Sequence, residues 1–286
     1  MLRKPYAVPF YANASEEWIE RTLKGFAPPP LEGPPVAGVV PHAGWDFSGG
    51  VAAKVFRTIK AHAEPKTFVL FGAVHRYISD CAVYSCGSWD TPFGEVQIDE
   101  KLAGRLLERL KGYAEQNELA HNHEHSLEVQ LPFLKYFFPD AKAVPISVLP
   151  DRRAPELGRR IGEYIREHES DILVIGTTDL THYGEAYGFA PAGRGPAALR
   201  WMKENDARII KLATRLEPEK IVAEADRNMN ACGAGALAAT VAAARTMGSS
   251  EGLTIEYTTS YDVVPEREFR MAVGYVGMIF CRPGKT

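Results

Sequence analysis

A chain of 286 residues that is 45% hydrophobic can build a sizeable core, and α/β folds of this length often stay undivided, so one domain over residues 1–286 is expected. A formal net charge of -3 and a pI near 6.3 give no electrostatic reason to expect nucleic acid or an anionic membrane as partner. No apolar run reaches the length of a membrane span, no secretory leader follows the basic start, and Cys81, Cys86, Cys232 and Cys281 form no C-x-x-C pair, which together point to a reducing cytoplasm.

Ser15, followed by Glu16 and Glu17, opens a predicted helix over 15–26 that prolines 28–30 and 34–35 close. Residues 36–42 read as a short buried strand, 48–61 as a helix and 67–72 as a second buried strand. Shorter strands are expected over 82–85 and 95–98, around a turn at 92–94. Helices follow at 100–113 and 126–138, the second bent at Pro132. A strand over 143–149, a helix over 156–168 and a strand over 171–176 come next. Residues 184–195 are rich in Gly, Ala and Pro and read as a loop. Helices at 196–213, 218–224 and 232–246 precede two closing strands, 253–261 and 270–280.

The apolar runs Phe68-Val69-Leu70-Phe71 and Ile172-Leu173-Val174-Ile175 are typical of sheets covered on both faces. Their alternation with helices predicts a three-layer α/β fold. The last two strands have no long crossover between them, so they should pair antiparallel and make the sheet mixed, though largely parallel.

In open α/β sheets, ligands gather beyond the carboxyl ends of the strands. Three strands here end in unusual polar residues: Pro41-His42-Ala43-Gly44-Trp45, Gly72-Ala73-Val74-His75 and Gly176-Thr177-Thr178-Asp179-Leu180-Thr181-His182. If those strands are parallel neighbours, His42, His75, Asp179 and His182 converge on one rim. One such histidine alone is more often a hydrogen-bonded loop residue; three at corresponding ends point to a site, and imidazole is the commonest side-chain metal ligand. Cys232, with Asn230 as the candidate cap, would sit in the first turn of a helix, where the dipole favours thiolate. Taken alone it reads rather as a small buried hydrophobe in a Gly/Ala-rich helix, the usual fate of a free cysteine. In the run 121–128, His121 and His123 are expected to be solvated. His125 and Glu128 share a face if the helix has begun by then, lining or supporting a pocket. Trp45, Asp46, Tyr183 and Tyr261 are candidate wall residues. There is no G-x-S-x-G, no P-loop and no H-E-x-x-H.

Five of these stretches, in order, resemble the motifs of the Memo-like family. They are Pro41 to Trp45 with Ser48-Gly49, Gly72 to His75, Glu124-His125-Ser126-Leu127-Glu128, Thr177 to Gly184, and Ala231-Cys232-Gly233; the resemblance runs from about residue 5 to 280. It implies a fold shared with class III extradiol ring-cleaving dioxygenases, which hold non-haem Fe(II) through two His and one Glu, with a further His as acid/base. It places His42 and His75 at the two His ligands, His182 at the acid/base position and His125 at a pocket histidine. Cys232 falls where the dioxygenases have Glu, and Cys there is the Memo-like pattern. Thiolate is softer than carboxylate, so Cu(I) and Zn(II) compete with Fe(II), and it is open to oxidation.

The implied chemistry is a divalent-metal centre, Fe(II) before copper or zinc, on His42, His75 and Cys232. His182 would be the general acid/base, with Asp179 orienting it. A small substrate would lie beside Trp45, His125, Glu128 and Tyr183. The alternatives are a non-catalytic copper, iron or acidic-peptide binding module, and a zinc hydrolase. The resemblance also suggests a radical-SAM protein and an AMMECR1-like protein as companions.

Overall fold

Apolar side chains that point alternately to the two sides of a strand need cover on both faces, and the helices of this chain divide themselves accordingly. In the computed structural model, which describes residues 1–168 and 171–284, the first strands are β1 (Leu2–Arg3), β2 (Pro35–Val40), β3 (Thr67–Gly72), β4 (Cys81–Val83), β5 (Ser88–Trp89) and β6 (Val96–Gln97). They continue as β7 (Ala114–Gln116), β8 (Lys142–Ser147), β9 (Ile172–Thr177), β10 (His182–Tyr183), β11 (Gly252–Thr259) and β12 (Ala272–Cys281). The helices are α1 (Glu16–Thr22), α2 (Gly50–His62), α3 (Glu100–Arg109), α4 (Leu131–Phe137) and α5 (Ala154–His168). They go on as α6 (Pro196–Thr214), α7 (Pro218–Asn228), α8 (Ala234–Thr246) and the single turn α9 (Ser260–Val263).

Among the described residues, nine strands make one sheet in the order β10-β12-β2-β9-β3-β8-β4-β7, with β11 also paired to β12. β2, β9, β3 and β8 are parallel neighbours. β12 runs antiparallel to both β2 and β11, so the sheet is mixed. Val69 and Phe71 of β3 pack toward α3, α5 and α8; Phe68 and Leu70 pack toward α1, α2 and α4. On the first side α5 and α8 touch closely: a Cβ on Gly158 would fall 1.9 Å from the carbonyl oxygen of Ala239.

Local signals explain the helix starts. Ser15 accepts from the Trp18 N–H at 3.1 Å, and Asp99 accepts from Leu102 N–H at 3.1 Å. The structure departs from four expectations. Residues 126–138 are not one bent helix: a 3₁₀ turn, Glu128–Gln130, leads into α4, and Pro132 sits in the first turn of α4, where its missing N–H costs nothing. α2 is preceded by a wide π-type turn over Trp45–Gly49. α8 starts at Ala234 with Gly233 as its cap, so Cys232 lies before the helix. Asn230 does not cap it; its amide donates to the Asn205 carbonyl at 2.9 Å.

Candidate functional site

Strand register brings the three polar strand ends level. Val40 pairs with Thr177, and Phe71 with Gly176, so the residues following β2, β3 and β9 leave the sheet side by side. His42 is buried. Its backbone N–H donates to Asp179 Oδ1 at 2.7 Å, and its ring Nδ1 is hydrogen-bonded to Thr177 Oγ1, so Nε2 points the other way. Cys232 is carried to the same place by Gly233, whose N–H donates to Thr178 Oγ1 at 3.0 Å. A Cβ on Gly233 would stand 2.3 Å from the Thr177 carbonyl oxygen, so only glycine allows this approach. Cys232 Sγ then accepts from the Asp179 N–H at 3.3 Å and lies 3.1 Å from His42 Nε2.

A second pair of imidazoles completes the rim. The His75 ring centroid is 5.2 Å from that of His42, and His125 stacks on His75 at 4.5 Å. Glu124, buried, accepts from the His75 N–H at 2.9 Å and lies 3.0 Å from His75 Nδ1. Two donor sets result, each with its ligand atoms within 4.8 Å of one another: His42, His75 and His125; and His42, Asp179 and Cys232. His42 belongs to both, so the trio His42, His75 and Cys232 is divided between them.

His42, His75, His125 and Asp179 line a cleft of about 540 Å³. Its apolar walls include Phe10, Phe47, Tyr187, Met271 and Tyr275, and no Lys or Arg among the described residues lines it. His182 stands on the cleft with Nδ1 at 3.0 Å from the Leu180 carbonyl oxygen and its ring edge-on to Tyr187 at 5.2 Å.

Burial dominates the electrostatics. It holds His42 well below the imidazole range, helped by the charges of His75 and His125. Burial, then His75, lowers His125 to about 4. Burial also lowers His182. At His75 burial is outweighed by the hydrogen bond and charge of Glu124, and the pKa rises. Burial pushes Asp179 up to about 7 against the N–H groups of His42 and Ala43. Burial, then the Asp179 carboxylate, pushes the Cys232 thiol far up, so the helix-dipole expectation of a ready thiolate is reversed. A metal arriving at this sulfur must displace its proton. The donor chemistry nonetheless fits a divalent ion: imidazole nitrogens turned inward by partners on their other ring nitrogen, beside a sulfur and a carboxylate.

Other expected site residues fall elsewhere. Trp45 turns into the core, stacked on Phe133 at 3.9 Å, with its indole N–H donating to the Val129 carbonyl at 3.3 Å. Tyr183 is buried and ties the 184–195 loop, its hydroxyl donating to the Gly193 carbonyl at 3.0 Å and accepting from Ala192 N–H. Glu128 faces away from the cleft, because the segment before it is not helical; it binds Arg3, Tyr11 and the N–H groups of Tyr6 and Ala7. Asp179 does not orient His182; the Leu180 carbonyl does. His121 is fully buried, with Nε2 3.1 Å from the Ala82 carbonyl oxygen, whereas His123 is exposed. Tyr261 does line the cleft. Glu124 and Thr177 were given no role from sequence, although each lies inside a quoted motif. Phe10, Tyr187 and Tyr275 carry no sequence signal for their place on the wall.

A family profile described as Memo-like protein matches residues 6–279. A MEMO1 family protein of Thermococcus onnurineus is 38% identical over 85% of this chain and 86% of its own length. One from Thermococcus kodakarensis is 35% identical over 99% of this chain and 100% of its own length. Among solved structures, an uncharacterized protein from Escherichia coli K12 matches 84% of this chain and 98% of its own, with a TM-score of 0.52 at 15% identity, which speaks to the fold alone.

Proposed function

Because the chain belongs to the Memo-like family, we propose that it carries out metal-dependent chemistry on a small molecule at the rim of this cleft. His42, His75 and Cys232 hold a divalent ion, Fe(II) before copper or zinc, once His75 and Cys232 close on it from the two donor sets that share His42, with His125 and Asp179 beside them. The observation that carries the reading is the meeting of two donor sets at His42, one nitrogen-rich and one containing sulfur and carboxylate, on the wall of a cleft. When bound, the metal supplies a Lewis-acid or redox centre.

The chain's own residues do the rest. His182 donates from Nδ1 to the Leu180 carbonyl, so its Nε2 is the nitrogen available to take or return a proton. Burial favours its neutral form, which suits a base. Phe10, Phe47, Tyr187 and Tyr275 hold the apolar body of a substrate and displace water. With Asp179 and Glu266 on the wall and no Lys or Arg among the described residues that line it, a small uncharged molecule suits the cleft better than an acidic peptide.

Metal analysis after anaerobic purification, followed by oxygen uptake with a catechol-like probe, tests this. Stoichiometric iron with oxygen uptake supports the reading. Tight copper without turnover would replace the enzyme by a binding module, and stoichiometric zinc would point to hydrolysis.

A further inference from the structure

We propose that Glu124 is the positioning residue of this centre, fixing the proton of His75 on Nδ1 so that its Nε2 lone pair faces the other donors. The inference rests on the metal-dependent reading and deepens it, by naming a residue that selects the state of a ligand without supplying one. Glu124 lies in an irregular stretch between the 3₁₀ turns Leu119–His121 and Glu128–Gln130. It is only 4% exposed. Its Oε1 accepts from the Ser126 N–H at 2.8 Å, and its Oε2 from the His75 N–H at 2.9 Å. These two backbone bonds lock the carboxylate in place. His75 Nδ1 then lies 3.0 and 3.2 Å from its two oxygens.

An ionised carboxylate can only accept. Nδ1 must therefore carry the ring proton, and the lone pair of the neutral imidazole resides on Nε2. A free imidazole has no such preference built in, and a ring protonated on Nε2 cannot bind a metal there. The His125 ring, stacked on His75 with its Nδ1 at 3.6 Å from Glu124 Oε1, is held in the same charge field.

Glu124→Gln keeps the size and removes the charge and one acceptor oxygen. Its single amide oxygen cannot serve the Ser126 N–H, the His75 N–H and Nδ1 at once, and its NH₂ can donate to Nδ1, so the hold on the proton at Nδ1 weakens and Nε2 gains a share of it. Glu124→Asp keeps the charge. The readouts are the ¹⁵N shifts of the His75 ring in metal-free protein above the imidazole titration range, assigned by their loss in His75→Ala, and metal affinity by competition titration. The wild type should show the proton on Nδ1 and the Gln variant a larger share of it on Nε2. Metal affinity should fall about 10–100-fold in the Gln variant, with partial recovery in the Asp variant. A wild-type His75 protonated on Nε2 overturns the proposal without any variant, as does a folded Gln variant with unchanged tautomer and affinity. A wild type that takes up no metal overturns the metal-dependent reading instead, and the tautomer then decides the role of Glu124.

Discussion

Glu124 and Glu128 bound one short stretch of chain, and the regions they serve differ in kind. Around Glu128 a carboxylate meets a full cation: Arg3 Nη1 lies 2.7 Å away, the Tyr11 hydroxyl donates at 2.6 Å, and the N–H groups of Tyr6 and Ala7 complete the shell. Arg3 also lies over the Trp89 ring at 3.9 Å and donates to the His121 carbonyl at 2.6 Å. This clasp fastens the N-terminal segment, which puts Phe10 on the cleft wall 4.5 Å from the His125 ring. Around Glu124 the partners are imidazoles and backbone, with no Lys or Arg among the described residues. A carboxylate saturated by a cation holds the chain together. A carboxylate answered by imidazoles and backbone, with no cation, leaves those imidazoles able to exchange a proton for a metal.

Breaking the clasp should have the largest effect. Glu128→Ala leaves Arg3 buried with no counter-charge and should cost about 3–5 kcal/mol of stability, measured by denaturant unfolding; a loss under 1 kcal/mol would mean that the segment is held by packing alone.

A third buried carboxylate, Asp206, sharpens the contrast, because it has neither cation nor imidazole: it accepts from Thr181 N–H at 2.9 Å and from the Tyr257 hydroxyl at 2.7 Å. Burial raises its pKa to about 6. The folded protein therefore keeps a proton there that the unfolded chain has lost. Its contribution is full below the ordinary carboxyl range and disappears as pH rises through about 6. The stability of Asp206→Asn relative to wild type should rise across that interval by roughly 2–3 kcal/mol, and a flat difference would show that the carboxyl is ionised in the fold.

At the cleft, His182→Ala should leave the metal content unchanged and abolish turnover; loss of metal would make His182 a ligand. The smallest effect is expected at His123, exposed and edge-on to Tyr6 at 5.0 Å. His123→Ala should change stability by less than about 0.5 kcal/mol and metal content not at all.

How far the sequence could be read depends on regularity. Strand 67–72 was legible to the residue, because a short apolar run between turn signals has few other readings. The meeting of His42, His75, Asp179 and His182 was legible too, since parallel strands must deliver their ends to one rim. The stretch 121–128 was not. Its residue types suggested an exposed entry to a helix, but the chain there turns through separate 3₁₀ segments, burying His121 and sending Glu124 and Glu128 in different directions. Cys232 shows the same limit on a smaller scale: helix periodicity could not reveal that α8 begins two residues later and that the thiol sits among buried groups and not on a dipole. The apolar walls came from distant segments such as Phe10 and Tyr275, whose meeting only the tertiary fold decides.

X-ray absorption at the metal edge of anaerobically loaded protein bears most directly on the centre proposed here, comparing wild type with Cys232→Ser. Imidazole scattering together with a sulfur shell that disappears in the variant is the expected outcome. A wild-type spectrum with nitrogen and oxygen donors alone, unchanged by the substitution, would contradict the assignment of Cys232 and leave the ion to the three imidazoles.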